Sequence, residues 1–268
     1  MSANRLGEEA QRALPHDPHY WVPLYQKAEA ARIIRVPRGT LRGWAGSSSD
    51  RAIPGPEDRI AVTPNGPGVP GTSRLVPVPP AQPEPLIATV PPSSPRGPTI
   101  PFIGLAEAYV LASFRNAGVP MQRIRPALQR LEQEMGLQQA LASERLMTDG
   151  AEVLWDYGQD TDDQAERDAV GELVVVRNGQ LVFKAAVAKY LRRVTYHDGW
   201  ARVINVGAGK VDVSVDPWVN GGQPTLRRRG IAVDDVMSRI RAGETLREVA
   251  ADYGLRISEV TALRELAA

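Results

Sequence analysis

Between Lys27 and Arg42 the chain gathers five basic side chains, Lys27, Arg32, Arg35, Arg38 and Arg42, against one acid, Glu29, although its formal net charge over 268 residues is only +1. Cations concentrated in so short a stretch suit a phosphate backbone. A solvated basic face on an amphipathic helical pair is the plainer alternative. Arg38 and Arg42, with Thr40 between them, are types that donate to base edges in a major groove. Further along, Arg51, Arg59 and Arg74 could touch phosphate, and Arg227-Arg228-Arg229 could hold it. Arg256 and Thr261 remain available on the outer side of a last helix.

The elements that must position these groups can be read from the same residues. Ala28, Ala31 and Ile34 recur every third position and give a first helix its apolar stripe. Pro37 lacks an amide hydrogen and pushes Val36 out of the helical region, so that helix ends near Arg35 and a second begins with proline at its first position. In the second helix Pro37, Leu41, Trp44 and Ala45 fall on one side, leaving Gly39 and Gly43 facing out. Each exposed glycine costs roughly 1 kcal/mol against alanine. Close approach to another surface would explain both.

From Gly46 to Pro98 proline forbids a regular helix or central strand. Two islands, Arg74–Val78 and Leu86–Val90, are spaced as the arms of a hairpin, either a wing or part of a disordered tether. Helical pattern returns at Ile103 to Ala117, stops at Gly118, and resumes after Pro120 with Ile124, Leu128, Leu131 and Met135 on one stripe. Pro126 predicts a kink or a late start. Two helices, a hairpin and two more helices follow the order of a MerR-like winged helix; the bend at Gly118-Val119-Pro120 could be a separate reading head.

Strands are then predicted at Glu152–Trp155, Glu172–Val176, Gln180–Phe183, Ala201–Val206 and Lys210–Val215, with a hairpin turn at Arg177-Asn178-Gly179 and one helix at Lys184–Arg193. The stretch Asp156 to Asp168 reads as an acidic loop that is solvated, or holds a divalent ion, or meets a basic partner; it lacks the spacing of a calcium loop. The chain ends in three helices. The first has the stripe Val233, Val236, Met237 and Ile240; the second starts in a capping box of Thr245 and Glu248; the third is capped by Ser258 and buries Val260, Leu263 and Leu266.

The expected fold is therefore α+β. It comprises a mobile tail (1–19), an N-terminal MerR-like winged helix-turn-helix (20–136, with the Pro-rich insertion 46–98), a small α+β middle domain (137–215) and a C-terminal helical helix-turn-helix-like domain (216–268).

Several function classes are excluded. With no cysteine there is no disulfide, thiolate metal site or cysteine nucleophile, which fits a cytoplasmic setting. No apolar run approaches a membrane span, and no secretory leader is evident. His16 and His19 would need carboxylates to complete a zinc site. The phosphate-loop, nucleophile-elbow and HExxH motifs are absent, and Gly207-Ala208-Gly209-Lys210 reads as a hairpin turn. Neither an enzyme, nor a metal site, nor a cofactor is expected.

Asp216-Pro217, Gly222-Gln223-Pro224, Ile231-Ala232-Val233, Ala242-Gly243-Glu244 and Val249 through Leu255 resemble the small helical domain of an antitoxin-related family. With Phe102 through Ala108, Ala117 through Pro120 and Ile124 through Leu128, the whole chain resembles the long mycobacterial VapB-type antitoxins. It departs from them in its longer Pro-rich insertion, and no C-terminal tail of the toxin-threading sort is evident. The resemblance implies a homodimer that binds a PIN-domain VapC-like ribonuclease and represses the shared operon by binding double-stranded operator DNA. On the residues alone, a DNA-binding regulator without a toxin, or a protein-binding scaffold, remain alternatives. DNA contacts are expected from Lys27, Arg35, Arg38, Thr40, Arg42, Arg74, Arg227, Arg228, Arg229, Arg256 and Thr261.

Overall fold

The computed structural model describes residues 15, 17–46, 85–136, 139–178, 180–207 and 211–267. In chain order, β1 (Pro23–Tyr25) precedes α1 (Lys27–Ile33) and α2 (Arg38–Ala45). Next, β2 (Ile100–Pro101) runs directly into α3 (Phe102–Asn116), followed by α4 (Met121–Met135). Then come α5 (Arg145–Thr148), α6 (Gly150–Asp160), α7 (Gln164–Gly171), β3 (Val174–Arg177), β4 (Gln180–Phe183) and α8 (Ala185–Leu191). The last part contains β5 (Val194–His197), β6 (Trp200–Asn205), β7 (Val213–Val215), β8 (Thr225–Leu226), β9 (Ile231–Ala232), α9 (Val233–Arg241), α10 (Leu246–Asp252) and α11 (Ile257–Ala267).

The fold is α+β, with a helix-turn-helix near the N-terminus and a helical C-terminal region. At its centre lies α3, FIGLAEAYVLASFRN, buried along thirteen of its fifteen residues because apolar side chains run all round it. It packs against α8, β1 and β6. A strap, residues 85–99, crosses over it. Gly104 makes the crossing possible, since a Cβ there would collide with the carbonyl oxygen of Ala88. Glu107, buried on the same helix, accepts the Ala88 amide at 2.5 Å. The strap is also held at its ends, with Leu86 N donating to Trp44 O (2.7 Å) and Thr99 N to Tyr25 O (3.1 Å).

Around this centre, α4 packs against α6 and α7. Strands β5 to β9 form one antiparallel sheet in sequential order. The sheet draws on strands from residue 194 to residue 232 and so crosses residue 215, where the sequence suggested a boundary. Helices α9, α10 and α11 pack together at its end. The Thr245 and Glu248 capping box is present at α10.

Several expectations are corrected. Leu86–Val90 belongs to the irregular strap rather than to a strand, because the amides of Leu86, Ala88 and Val90 go to Trp44, Glu107 and Thr99 instead of a partner strand among the described residues. The first proposed arm, Arg74–Val78, and His16 lie outside the described residues. Glu152–Trp155 forms part of α6, not a strand: buried Ala151, Leu154 and Gly158 follow a helical spacing. The acidic stretch is two helix segments, with the Asp163 carboxylate capping α7 by accepting from Ala165 N and Glu166 N. Helix α4 begins at Met121, so Pro126 lies inside it and does not delay its start. Ser258 is not the cap of α11; the Glu259 carboxylate takes the Arg256 amide instead. The tail is built into the fold from Asp17 onward, where Asp17 caps the turn Pro18–Tyr20 and His19 stacks on Trp218 at 4.9 Å. Strand β5 adds to the predicted set, and Asp198-Gly199 (φ 51° and 81°) makes the tight turn joining it to β6.

Substituting Gly104→Ala forces the strap off α3 and should lower the unfolding free energy by about 3 kcal/mol. Urea denaturation monitored by tryptophan fluorescence measures it; an unchanged midpoint would show that the strap yields freely.

Candidate nucleic-acid interface

The corner between α1 and α2 is set by backbone chemistry. Ala30, Ala31, Ile33 and Ile34 are buried along α1. The helix ends where Arg35 adopts a left-handed conformation (φ 58°) and Val36 N reaches back to Ala31 O at 2.9 Å. That conformation costs a non-glycine residue roughly 1 kcal/mol. Pro37 is extended and exposed; it caps α2 from outside rather than occupying the first helical position or packing inward as expected, and its carbonyl accepts Thr40 N at 2.9 Å. Leu41, Trp44 and Ala45 are buried against α1.

The outward side of α2 carries Arg38, Gly39, Arg42 and Gly43, all exposed, with Thr40 half-buried at its edge. No described heavy atom lies within 4 Å of where a Cβ would stand on either glycine. Neither Arg38 nor Arg42 makes an ion pair or side-chain hydrogen bond to the described residues.

Two other cations assigned to that face make hydrogen bonds within the fold. Lys27 Nζ donates to Gly46 O at 2.9 Å, closing the C-terminal end of α2; burial first, then the nearby Arg42, lowers its pKa. Arg35 donates from its guanidinium to Val206 O at 3.0 Å, tying the corner to the end of β6. Tyr25 Oη donates to Gly222 O (2.7 Å) and Gln223 Nε2 to Glu29 (3.1 Å), so the corner is fastened to the C-terminal half at three points. Burial pushes the Tyr25 phenol pKa well up, keeping it a donor.

The remaining sequence candidates are dispersed. Arg74 lies outside the described residues. Arg227, Arg228 and Arg229 are exposed in the turn between β8 and β9. Arg256 is paired with Glu259 at 3.3 Å, and the Thr261 hydroxyl donates to Ile257 O at 2.9 Å, so neither group is free at the start of α11. At the other bend, α3 is enclosed and only one side of α4 faces out, with Gln122, Arg123, Gln129, Arg130 and Gln133 exposed. Acids from the neighbouring helices approach its arginines, Asp163 to Arg123 (3.9 Å) and Asp160 to Arg130 (3.8 Å). The glutamines were not singled out from the sequence; their spacing opposite the apolar stripe was the available signal. Among the described residues no three metal-ligating side chains come together, and no helix is long and apolar enough to cross a membrane.

Because the added methyl groups meet empty space, Gly39→Ala and Gly43→Ala should each stabilise the fold by roughly 1 kcal/mol. Thermal melts of the purified variants check it, and a loss of stability would mean that the glycines serve the fold.

Comparison with known proteins places the chain. Residues 71–128 match a family described as "Putative DNA-binding HTH domain", covering α3 and the first half of α4, and residues 213–267 match "Protein of unknown function (DUF433)". The protein named "Putative antitoxin VapB45" of Mycobacterium tuberculosis (strain ATCC 25618 / H37Rv) is 42% identical over 237 residues, 87% of this chain and 89% of that protein. A crystal structure of Rv2018 from Mycobacterium tuberculosis superposes with a TM-score of 0.71 at 36% identity, covering 92% of this chain and 99% of that one. Sharing sequence and fold with these proteins over most of its length, the chain belongs to the VapB-type antitoxin family.

Proposed function

We propose that the protein is a non-enzymatic, cytoplasmic antitoxin that neutralises a PIN-domain ribonuclease of the VapC kind and, as a homodimer, represses their common operon by binding its operator DNA. The observation that carries the DNA-reading half is the outward face of α2, where Arg38 and Arg42, unpaired among the described residues, flank two glycines that no described atom covers. A glycine-backed helix can approach a duplex more closely than one bearing side chains, which brings both guanidinium groups within reach of guanine O6 and N7 or of phosphate. Family membership and the likeness to a named antitoxin support the toxin-binding half. Dimerisation follows from the two-fold symmetry of most operators.

A second reading has its own support. The family match at 71–128 covers the α3 and α4 pair, so Gln122 and Arg123 near the start of α4 are the competing base readers. Glutamine suits adenine and arginine suits guanine.

Binding to the protein's own promoter, followed by fluorescence anisotropy, separates the two. The double variant Arg38→Ala, Arg42→Ala should lose roughly a hundred-fold in affinity, the effect of two base contacts, while Gln122→Ala, Arg123→Ala stays near wild type. The reverse pattern transfers the reading role to α4. Coexpression with a neighbouring PIN-domain gene should yield a copurifying complex lacking ribonuclease activity; no complex removes the antitoxin half. Sedimentation should find a dimer at micromolar concentration, and monomer alone, free and with DNA, contradicts the symmetry argument.

A further inference from the structure

We propose that the turn Arg227-Arg228-Arg229-Gly230, between β8 and β9, is a second anchor for duplex DNA that grips the phosphodiester backbone without reading sequence, while the α10 and α11 pair below it does not read DNA. The inference rests on the reading above that the chain binds duplex.

The surrounding charge argues for it. Between Ile231 and Ala267 seven acids outnumber five arginines. Three of those arginines are engaged: Arg239 by Glu244 and Asp252, Arg241 by Asp234, and Arg256 by Glu259. The Glu259 carboxylate also takes the Arg256 amide at 2.8 Å, so at the end of α11 that a reading helix would present Arg256 and Glu259 are spent on each other.

The turn is the opposite case. All four of its residues are exposed, and neither Arg227 nor Arg228 pairs with an acid among the described residues. Its backbone is nevertheless fixed. Arg227 N donates to Asp212 O (3.1 Å), Gly230 N to Leu226 O (2.9 Å), and Asn220 Nδ2 to Gly230 O (2.9 Å). Gly230 supplies the left-handed conformation (φ 66°). Meanwhile Arg229 lays its guanidinium against Gly254, in the turn between α10 and α11, in the field of Glu259. Arg227 and Arg228, adjacent like charges on a fixed turn, pair with no described group; they suit closely spaced phosphates.

Position supports the same partner. Gln223, bonded to Glu29 of α1, lies five residues before Arg228. Chain geometry therefore keeps the turn within about 17 Å of that contact. One helical turn of duplex is about 34 Å, so the turn lies within one helical turn's length of the α1 contact.

The test is fluorescence anisotropy of the full chain on its own promoter and on a random-sequence duplex of equal length, across a salt titration. Arg227→Ala, Arg228→Ala should weaken both complexes by the same factor, about ten-fold, and reduce the slope of log K against log salt by roughly 2, one step of about 0.9 per lost phosphate contact. Circular dichroism should be unchanged, because the removed side chains are exposed and pair with no described group. Unchanged affinity and slope overturn the proposal, as does a loss confined to the promoter duplex, or a variant that binds DNA normally but no longer copurifies with a toxin. Wild-type protein that binds neither duplex defeats both this inference and the reading it rests on. If instead Arg38→Ala, Arg42→Ala leaves promoter preference intact while the turn variant loses backbone binding, only the α2 assignment fails.

Discussion

A helix with apolar side chains on every side has to be enclosed, and α3 imposes that condition on everything near it. No single neighbour can cover it. Strand β1 and the strap lie along it, β6 and α8 close other sides, and Gly104 lets the strap's backbone touch the helix itself. The enclosure also limits which surfaces are left for a partner. Being the first helix of the pair matched by the DNA-binding family, α3 has no face to offer, and α4 offers one side whose arginines already meet carboxylates. The α1 and α2 corner is the pair that keeps an outer face free of ion pairs among the described residues.

That corner is attached by polar ties as much as by apolar contact. Tyr25 holds the strand before it to Gly222, Glu29 meets Gln223, and Arg35 spends its charge on the Val206 carbonyl. The left-handed backbone at Arg35 and the two uncovered glycines on α2 all work against stability. Local rules are broken together at one place, and such places are where proteins carry function. The basic residues accordingly divide into two jobs. Lys27 and Arg35 build the corner, and Arg38 and Arg42 are what it presents.

Much of this was legible in the residues. Pro37 and the alanine spacing located the corner, Thr245 and Glu248 form a self-contained capping box that places the start of α10, and Asn178-Gly179 marked a hairpin that forms. What failed depended on distant partners. Glu152–Trp155 alternates like a strand, but α4 supplies an apolar wall that rewards helical spacing there. Leu86–Val90 has strand-forming residues but pairs with no strand among the described residues, and its amides go to Trp44, Glu107 and Thr99. The ties from Lys27 and Arg35 to the carbonyls of Gly46 and Val206 were not legible, because composition gives no sign of those acceptors.

The central claim is that α2 is the element that enters the duplex. Its most direct test is a crystal structure of the protein bound to its promoter DNA. The account predicts α2 in the major groove, with the guanidinium groups of Arg38 and Arg42 within hydrogen-bond distance of base edges or phosphates and the Cα atoms of Gly39 and Gly43 in van der Waals contact with the duplex. A complex in which α2 faces solvent while α4 occupies the groove would contradict it.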